Sequence, residues 1–228
     1  MAAGPRLQPS TCEEERLWSS GRRFVAGVDE VGRGPLAGPV YAAAVMLDPR
    51  ARPAWLEDLR DSKVLLPPER ERLAELIRRE ALAWGLGWAT AAEIDGWGIT
   101  LANRMAMFRA LAALRPSPQF VLIDGPSGIK TPHPQRAIVD GDATCASIAA
   151  ASIVAKVARD SLMCELDGLY PQYGFASHKG YATRDHLERL ARYGASPQHR
   201  RSWPRVQLAV QGRLDEAAPG GEEARDAP

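Results

Sequence analysis

The feature that most constrains the fold is a long apolar segment in the second half of the chain. Residues 143–166 follow a helical pattern, and around 148–157 apolar side chains occupy almost every side of that helix. Such a helix must be central and buried. Strands are predicted at residues 24–29, 40–47, 84–91, 120–123 and 137–139, and further helices at 67–83, 99–114 and 185–193. Helices that alternate with strands predict an α/β fold, in which helices flank a mixed sheet and a helical region ends the chain.

Length and composition favour one domain in a reducing compartment. The 228 residues suffice for a single well-buried core. We expect a domain over residues 23–211, a flexible N-terminal extension over 1–22 and a disordered acidic tail over 212–228. No apolar run approaches the length of a membrane span. The three cysteines are an odd number and widely spaced, so a cytoplasmic, membrane-free protein is expected, and nothing in the sequence suggests more than a monomer.

The net charge of +1 is the sum of a basic segment and an acidic segment that lie apart in the sequence. Residues 178–205 hold seven Lys or Arg against two acids, and residues 211–228 hold two against five. A basic segment of this kind is typical of nucleic-acid binding, although a solvated helix face would have the same composition.

Four acidic residues stand where soluble proteins seldom place them. Asp29 and Glu30 end one apolar strand, and Asp124 ends another, directly before Gly125. Asp142 lies between Gly141 and the long apolar helix. Acids at the ends of buried strands are typical of sites in α/β folds, and carboxylates are the ligands that hard divalent cations prefer. The pattern is therefore compatible with a divalent-metal site, and metal-assisted phosphodiester hydrolysis is one reaction that uses such carboxylates.

Each of these acids also has a purely structural interpretation. Asp142 would serve as the N-cap of the following helix, and Asp124 with Gly125 would form a turn. Asp29 and Glu30 are adjacent, so on a regular strand their side chains point to opposite faces. They share one site only if the strand ends there, or if one of them acts through its carbonyl oxygen or on a second ion.

The segments around these acids decide between the two interpretations. Residues 28–40, which include Gly-Arg-Gly at 32–34, closely resemble the N-terminal signature of the ribonuclease HII family. Later blocks that are similar to that family are Asp61-Ser62-Lys63, Asp124-Gly125, Gly141-Asp142, residues 147–160 and His178-Lys179-Gly180-Tyr181. The blocks follow the family's order and span most of residues 24–203.

The resemblance implies a fold and a reaction. The fold would be a ribonuclease H-like mixed sheet flanked by helices. Asp29, Glu30, Asp124 and Asp142 match the family's four catalytic acids, which bind Mg²⁺ or Mn²⁺. The family hydrolyses the RNA strand of RNA–DNA hybrids and cuts 5′ to ribonucleotides embedded in duplex DNA, leaving a 3′-hydroxyl and a 5′-phosphate.

The resemblance also implies which residues contact the nucleic acid. Gly32, Arg33 and Gly34 match the motif that reads the ribonucleotide, because glycine lets the backbone approach a 2′-hydroxyl closely. Tyr181 matches a tyrosine that stacks on the sugar past the junction. Two lysines, Lys63 and Lys179, are candidates for contacts with the backbone of the nucleic acid.

One departure and two rival functions qualify this interpretation. Asp140 stands where the family usually has a lysine, so details of the grip on the nucleic acid are expected to differ. A DNA junction nuclease of the same superfamily would use similar acids, but it would not need the Gly-Arg-Gly motif with Tyr181. A non-catalytic nucleic-acid-binding module would need neither the acids nor a metal.

Overall fold

The computed structural model describes residues 8–211. These residues form five strands: β1 (Val25–Val31), β2 (Val40–Met46), β3 (Ala83–Ala89), β4 (Phe120–Asp124) and β5 (Gln135–Ile138). The helices are α1 (Cys12–Ser19), α2 (Pro67–Glu80), α3 (Ala91–Trp97), α4 (Ile99–Ala112), α5 (Gly141–Thr144), α6 (Ala146–Leu169), α7 (Phe175–His178), α8 (Arg184–Tyr193) and α9 (Pro204–Val210), with a 3-10 helix at Ala54–Asp58. The predicted mixed sheet with flanking helices and a helical C-terminal region is confirmed.

The strands form one sheet in the order β3-β2-β1-β4-β5. Strand β1 is antiparallel to β2 and parallel to β4, and β4 is parallel to β5. Because β1 and β4 run in the same direction, their carboxyl ends meet at one edge of the sheet. Asp29, near the end of β1, and Asp124, at the end of β4, are thereby brought side by side.

The chain divides into two compact units where the sequence suggested one domain. Among the described residues, the first comprises 8–31, 41–88 and 104–157, and the second comprises 32–40, 89–103 and 158–211. The acids at the strand ends belong to the first unit, whereas the Gly-Arg-Gly motif and the segment around Tyr181 belong to the second. The expected acidic tail, residues 212–228, lies outside the described residues.

The core of the first unit lies between the sheet and helix α6. Alanines, Ile153 and Val154 of α6 pack with Ala43 and Val45 of β2 and with Leu73 of α2. All of them are buried, and each fully buried side chain of the size of valine or isoleucine stabilises the fold by roughly 1.5–3 kcal/mol. The prediction that the long apolar helix is central is confirmed.

The core of the second unit has two clusters. Met163, Leu166, Tyr173 and Phe175 pack with Ala37 in one of them. Leu36, Leu190, Val206 and Ala209 form the other, beneath α8 and α9. Both clusters include a residue of the segment that follows Gly-Arg-Gly, so the core of this unit anchors that segment directly.

The N-terminal residues differ from the expectation. Residues 12–19, assigned from sequence to a flexible extension, form helix α1, and Glu14 of that helix is fully buried. Its carboxylate accepts hydrogen bonds from the main-chain N–H of Ser147, at 2.7 Å, and from the thiol of Cys145, at 3.2 Å. That expectation is corrected for these residues. Helix α1 is ordered despite its polar sequence, because the carboxylate of Glu14 binds the first turn of α6. Among residues 8–211, no helix is long and apolar enough to cross a membrane.

Gly27 sets how closely α6 approaches β1. A Cβ atom on Gly27 would lie 2.3 Å from the carbonyl carbon of Ser147 and 2.4 Å from the nitrogen of Ile148. We expect Gly27→Ala to lower the free energy of unfolding by about 3 kcal/mol, because the clash is with backbone atoms. Gly168→Ala, in α6 with nothing within 4 Å of its added Cβ, is the control. It should stabilise the protein by up to about 1 kcal/mol in urea denaturation, and equal effects of the two variants would contradict the prediction.

Candidate active site

Asp29 and Asp124 lie on adjacent parallel strands at the same edge of the sheet. The register pairs Val28 of β1 with Ile123 of β4, and the two aspartates are the next residues on each strand. Neighbouring strands are about 4.8 Å apart, so the two carboxylates occupy one small region. The structure thus brings together two acids that are 95 positions apart in the sequence.

Asp29 is the most buried of the four acids, with 5% of its surface exposed. Burial raises the pKa of Asp29 well above its usual value, and the negative charges of Glu30, Asp124 and Asp142 raise it further. A hydrogen bond from Ser152 acts in the opposite direction. The ionised form of Asp29 is therefore destabilised, and a nearby cation would stabilise it.

Glu30 lies beside Asp29 on a strand that continues past both residues. The pairing with β2 extends through Glu30 with Ala42 to Val31 with Tyr41, whereas the pairing with β4 stops at Val28. The condition that the strand ends at these acids is met only on the β4 side. The main-chain N–H of Glu30 donates to Oδ1 of Asp29 at 2.7 Å. Glu30 thus acts on Asp29 through both its charge and its backbone.

Asp124 is held by the loop that carries Asp142. Its Oδ1 accepts a hydrogen bond of 2.7 Å from the main-chain N–H of Gly141. Burial raises the pKa of Asp124, while hydrogen bonds from Gly141, Asp142 and Gly125 and the charge of Lys63 lower it. Gly125 does turn the chain with a φ of +100°, so the turn interpretation is confirmed, and it does not conflict with a site role for Asp124.

Asp142 does not cap the long helix. It lies inside α5, a separate four-residue helix whose N-cap position is held by Asp140 in the left-handed conformation. Burial raises the pKa of Asp142 to about 6, and the charges of Asp124 and Asp61 contribute to that shift. The Nζ of Lys63 lies 4.0 Å from Oδ2 of Asp142 and lowers this pKa. The capping interpretation is corrected, because Asp142 lies within α5 and α6 begins only at Ala146.

Sequence reasoning overlooked three residues of this region. Ser62 and Ser152 are buried with their hydroxyl oxygens 2.9 Å apart, and Ser152 bonds to Asp29. Arg70 of α2, also buried, donates to the carbonyl oxygens of Ser62 and Leu65 and so fixes the segment that carries Lys63. Ser62 belongs to the Asp-Ser-Lys block, from which only Lys63 was selected as a candidate. The similarity of this block to the family was therefore the signal that could have identified Ser62.

The donor set suits a divalent cation. It consists of oxygen ligands only, and burial together with mutual repulsion raises the pKa of Asp29 and Asp142. Across residues 8–211, no three His, Cys, Asp or Glu side chains already converge on one point as in a closed metal centre.

The residues expected to contact nucleic acid lie, apart from Lys63, in the second unit. Arg33 is exposed, Gly32 is buried and Gly34 is intermediate between them. Lys179 adopts a left-handed conformation, and its ammonium donates to the carbonyl oxygen of Ala176 at 2.5 Å. The ring of Tyr181 is partly exposed, with the guanidinium carbon of Arg159 6.0 Å from its centroid. The ammonium of Lys179 is thus already engaged within the unit.

Fold and site together define the class. A five-stranded mixed sheet with carboxylates at the ends of β1 and β4 is the arrangement of a nuclease with the ribonuclease H-like fold. The family model for ribonuclease HII matches residues 26–206. A ribonuclease HII of Desulfitobacterium hafniense is 50% identical over 202 residues, which are 89% of this chain and 76% of that protein. The chain belongs to the ribonuclease HII family.

Solved structures agree with this assignment. The ribonuclease H2 of Pyrococcus horikoshii has a TM-score of 0.69 at 28% identity, covering 84% of this chain and 99% of that one. A structure of Bst-RNase HIII in complex with Mn²⁺ has a TM-score of 0.64 at 19% identity, covering 84% and 70%, and this likeness concerns the fold. The protein is an endoribonuclease that acts on RNA–DNA hybrids, in a family that depends on divalent metal ions.

Proposed function

We propose that Asp29, Glu30, Asp124 and Asp142 are the catalytic acids and that they bind Mg²⁺ or Mn²⁺. The observation that carries the proposal is the position of Asp29 and Asp124 side by side near the carboxyl ends of adjacent parallel strands, where the charge of Asp124 raises the pKa of both Asp29 and Asp142. When bound, a divalent cation supplies a Lewis acid that activates water and stabilises charge on a departing oxygen.

The protein's own residues have distinct tasks in this proposal. Asp29 and Asp124 are held rigidly, by Ser152 and by the Gly141 N–H respectively, so their oxygens keep one orientation. Asp142 has a pKa of about 6 and is ionised at neutral pH. Lys63, 4.0 Å from Asp142, offsets part of the negative charge of the acids, and in this proposal it contacts a phosphate group of the substrate.

We further propose that the enzyme cuts on the 5′ side of ribonucleotides embedded in duplex DNA, leaving a 3′-hydroxyl and a 5′-phosphate. Gly32, Arg33 and Gly34 would read the 2′-hydroxyl, with Tyr181 and Lys179 on the adjoining nucleotide backbone. Gly32 supports this role through its conformation, since its φ of +88° is one that residues with a side chain rarely adopt. In this proposal the enzyme acts as a monomer in the cytoplasm, whose reducing conditions would keep the exposed thiols of Cys12 and Cys164 unpaired.

The test uses a labelled DNA duplex that contains one ribonucleotide, with an all-DNA duplex of the same sequence as the control. Both are incubated with the protein and with Mg²⁺, Mn²⁺ or a chelator. Cleavage 5′ to the ribonucleotide with metal alone, and an intact control duplex, are expected. Cleavage of both duplexes would instead favour the junction nuclease, and tight binding without cleavage in either metal would favour the binding module.

A further inference from the structure

Arg200 is a buried arginine whose guanidinium donates all of its described hydrogen bonds to the loop that contains Gly-Arg-Gly. It is fully buried, and its three nitrogens donate to three carbonyl oxygens of one loop. Nη2 donates to Gly32 at 2.5 Å, Nη1 to Arg33 at 2.6 Å and Nε to Gly38 at 3.0 Å. The main-chain N–H of Arg200 donates to a fourth carbonyl, that of Leu36, at 2.8 Å. A single residue therefore fixes the loop from its first glycine to Gly38.

These bonds decide where the amide groups of the motif point. In a planar trans peptide, the C=O and the N–H of the same unit point in opposite directions. The carbonyls of Gly32 and Arg33 both point to Arg200, so the N–H groups of Arg33 and Gly34 both point away from it. Two successive amides that point the same way form a small donor site suited to an electronegative oxygen.

The charge of Arg200 strengthens that donor site. Burial and the nearby charge of Arg159 lower the pKa of Arg200 well below its usual value, so the cation is held there at an energetic cost. A cation on the carbonyl side polarises each peptide unit and makes the N–H on the other side a better donor. A loop that merely needed to turn would not require a buried positive charge.

Arg159 holds the same loop from a second direction. It is fully buried and donates to the carbonyl oxygens of Ala37, at 3.3 Å, Pro39, at 3.1 Å, and Lys179, at 3.0 Å. Gly32 has a φ of +88°, and a Cβ atom there would lie 2.1 Å from Nε of Arg159. The first glycine of the motif is thus required both by its conformation and by the arginine packed against it.

We infer that Arg200 is a positioning residue for recognition of the 2′-hydroxyl. It aims the amides of Arg33 and Gly34 at the ribose oxygen that distinguishes RNA from DNA. The inference rests on the proposed function, because it assumes that this loop reads the ribonucleotide. The orientation of these amides, on which discrimination between RNA and DNA depends, is thus set by a residue that lies far from the motif in the sequence.

The test measures the preference for a ribonucleotide separately from cleavage. The parent is the Asp124→Asn protein, which leaves the substrate intact. Its affinity is measured for a DNA duplex with one ribonucleotide and for the matched all-DNA duplex, with Mg²⁺ present. Arg200→Lys is then added, because lysine keeps the charge but cannot reach three carbonyls at once. Arg201→Lys, at an exposed neighbouring arginine, is the matched control.

The expected result is a preference for the ribonucleotide that falls about tenfold or more with Arg200→Lys, while all-DNA affinity changes little and Arg201→Lys matches the parent. A purely structural role for Arg200 would weaken both affinities equally and overturn the inference. A parent without any preference would overturn the proposed recognition by the loop, and the inference with it.

If Arg200→Lys does not fold, amide NMR of the parent protein replaces the affinity measurement. The N–H signals of Arg33 and Gly34 must then shift with the ribonucleotide duplex and not with all-DNA, or the inference is overturned.

Discussion

Asp124→Asn is expected to abolish cleavage and, in the same protein, to raise the melting temperature of the metal-free form. Asparagine keeps an oxygen that accepts the hydrogen bond from Gly141, at 2.7 Å in the native protein, so the loop to Asp142 is retained. It removes the charge that raises the pKa of both Asp29 and Asp142. Activity should fall by about a thousandfold or more if a divalent ion depends on this carboxylate.

The stability effect distinguishes a catalytic acid from a structural one. Loss of one repulsive charge should stabilise the metal-free protein by about 1 kcal/mol, or roughly 2–4 °C for a chain of this length. Metal should then raise the melting temperature of the wild-type protein more than that of the variant. Asp58→Asn, at an exposed aspartate 2.7 Å from Arg72, is the control and should leave the activity unchanged. A destabilised Asp124→Asn protein that still cleaves would contradict the assignment.

The acids were predictable because their signal is local. Asp29 and Asp124 each follow a short apolar run near the carboxyl end of a strand, and parallel strands bring such ends together. The position of Asp142 was predicted, but its environment was not. The sequence does not show that a four-residue helix separates it from α6, nor that its carboxylate lies near Lys63.

The elements that sequence reasoning missed depend on distant contacts. Helix α1 has too few apolar residues to show a periodic pattern, and it is anchored by Glu14 on a main-chain N–H 133 positions away. Arg200 meets the carbonyl oxygen of Gly32 across 168 positions. Within the basic segment Arg200 counted as one charge among seven, whereas the structure buries it. Charge counts cannot separate an arginine that faces solvent from one that fixes a loop.

Three histidines of the second unit illustrate the same limit, and they make the protein sensitive to acid. His178, His186 and His199 are buried together, with the rings of His178 and His186 stacked 4.2 Å apart. The Nδ1 of His199 accepts from the main-chain N–H of Ser196, so its proton is on Nε2, which donates to Nε2 of His186 at 3.1 Å.

The other two rings are fixed in the same way. His186, which accepts at Nε2, donates from Nδ1 to the carbonyl oxygen of Tyr181 at 2.8 Å. His178 accepts from the N–H of Gly180 at Nδ1 and donates from Nε2 to the carbonyl oxygen of Tyr173 at 2.9 Å. Every ring nitrogen is used by a neutral imidazole. A second proton on any ring would therefore face another hydrogen-bond donor.

The direction of the pH effect follows from this arrangement. Burial lowers the pKa of His186 to about 4 and that of His199 to about 3, and it also lowers that of His178. The unfolded chain, with histidine pKa values near 6.5, binds more protons below that pH. Stability is thus full above about pH 6.5 and falls on acidification by up to about 1.4 kcal/mol per pH unit for each histidine.

The acids of the first unit act against the histidines. The pKa of Asp142 is raised to about 6, so the folded protein gains a proton there between about pH 6 and pH 4, and Asp29 and Asp124 act in the same sense. We expect the free energy of unfolding of the metal-free protein to fall by about 2 kcal/mol from pH 7.5 to pH 5, because the loss from the three histidines exceeds what the three acids offset. Urea denaturation at a series of pH values measures this loss.

Asp142→Asn provides the internal control for this prediction. It removes one opposing group, so its stability should fall more steeply with acid, by about 1 kcal/mol more over the same range. Imidazole NMR signals should show His186 and His199 neutral at pH 5.5 in the folded protein. A stability that does not change between pH 7.5 and pH 5 in Asp142→Asn, or a ring of this cluster that titrates near pH 6.5, would contradict the account. A second proton on His186 goes to Nε2 and meets the donor on Nε2 of His199, so the contact between these two rings should be the first that acid weakens.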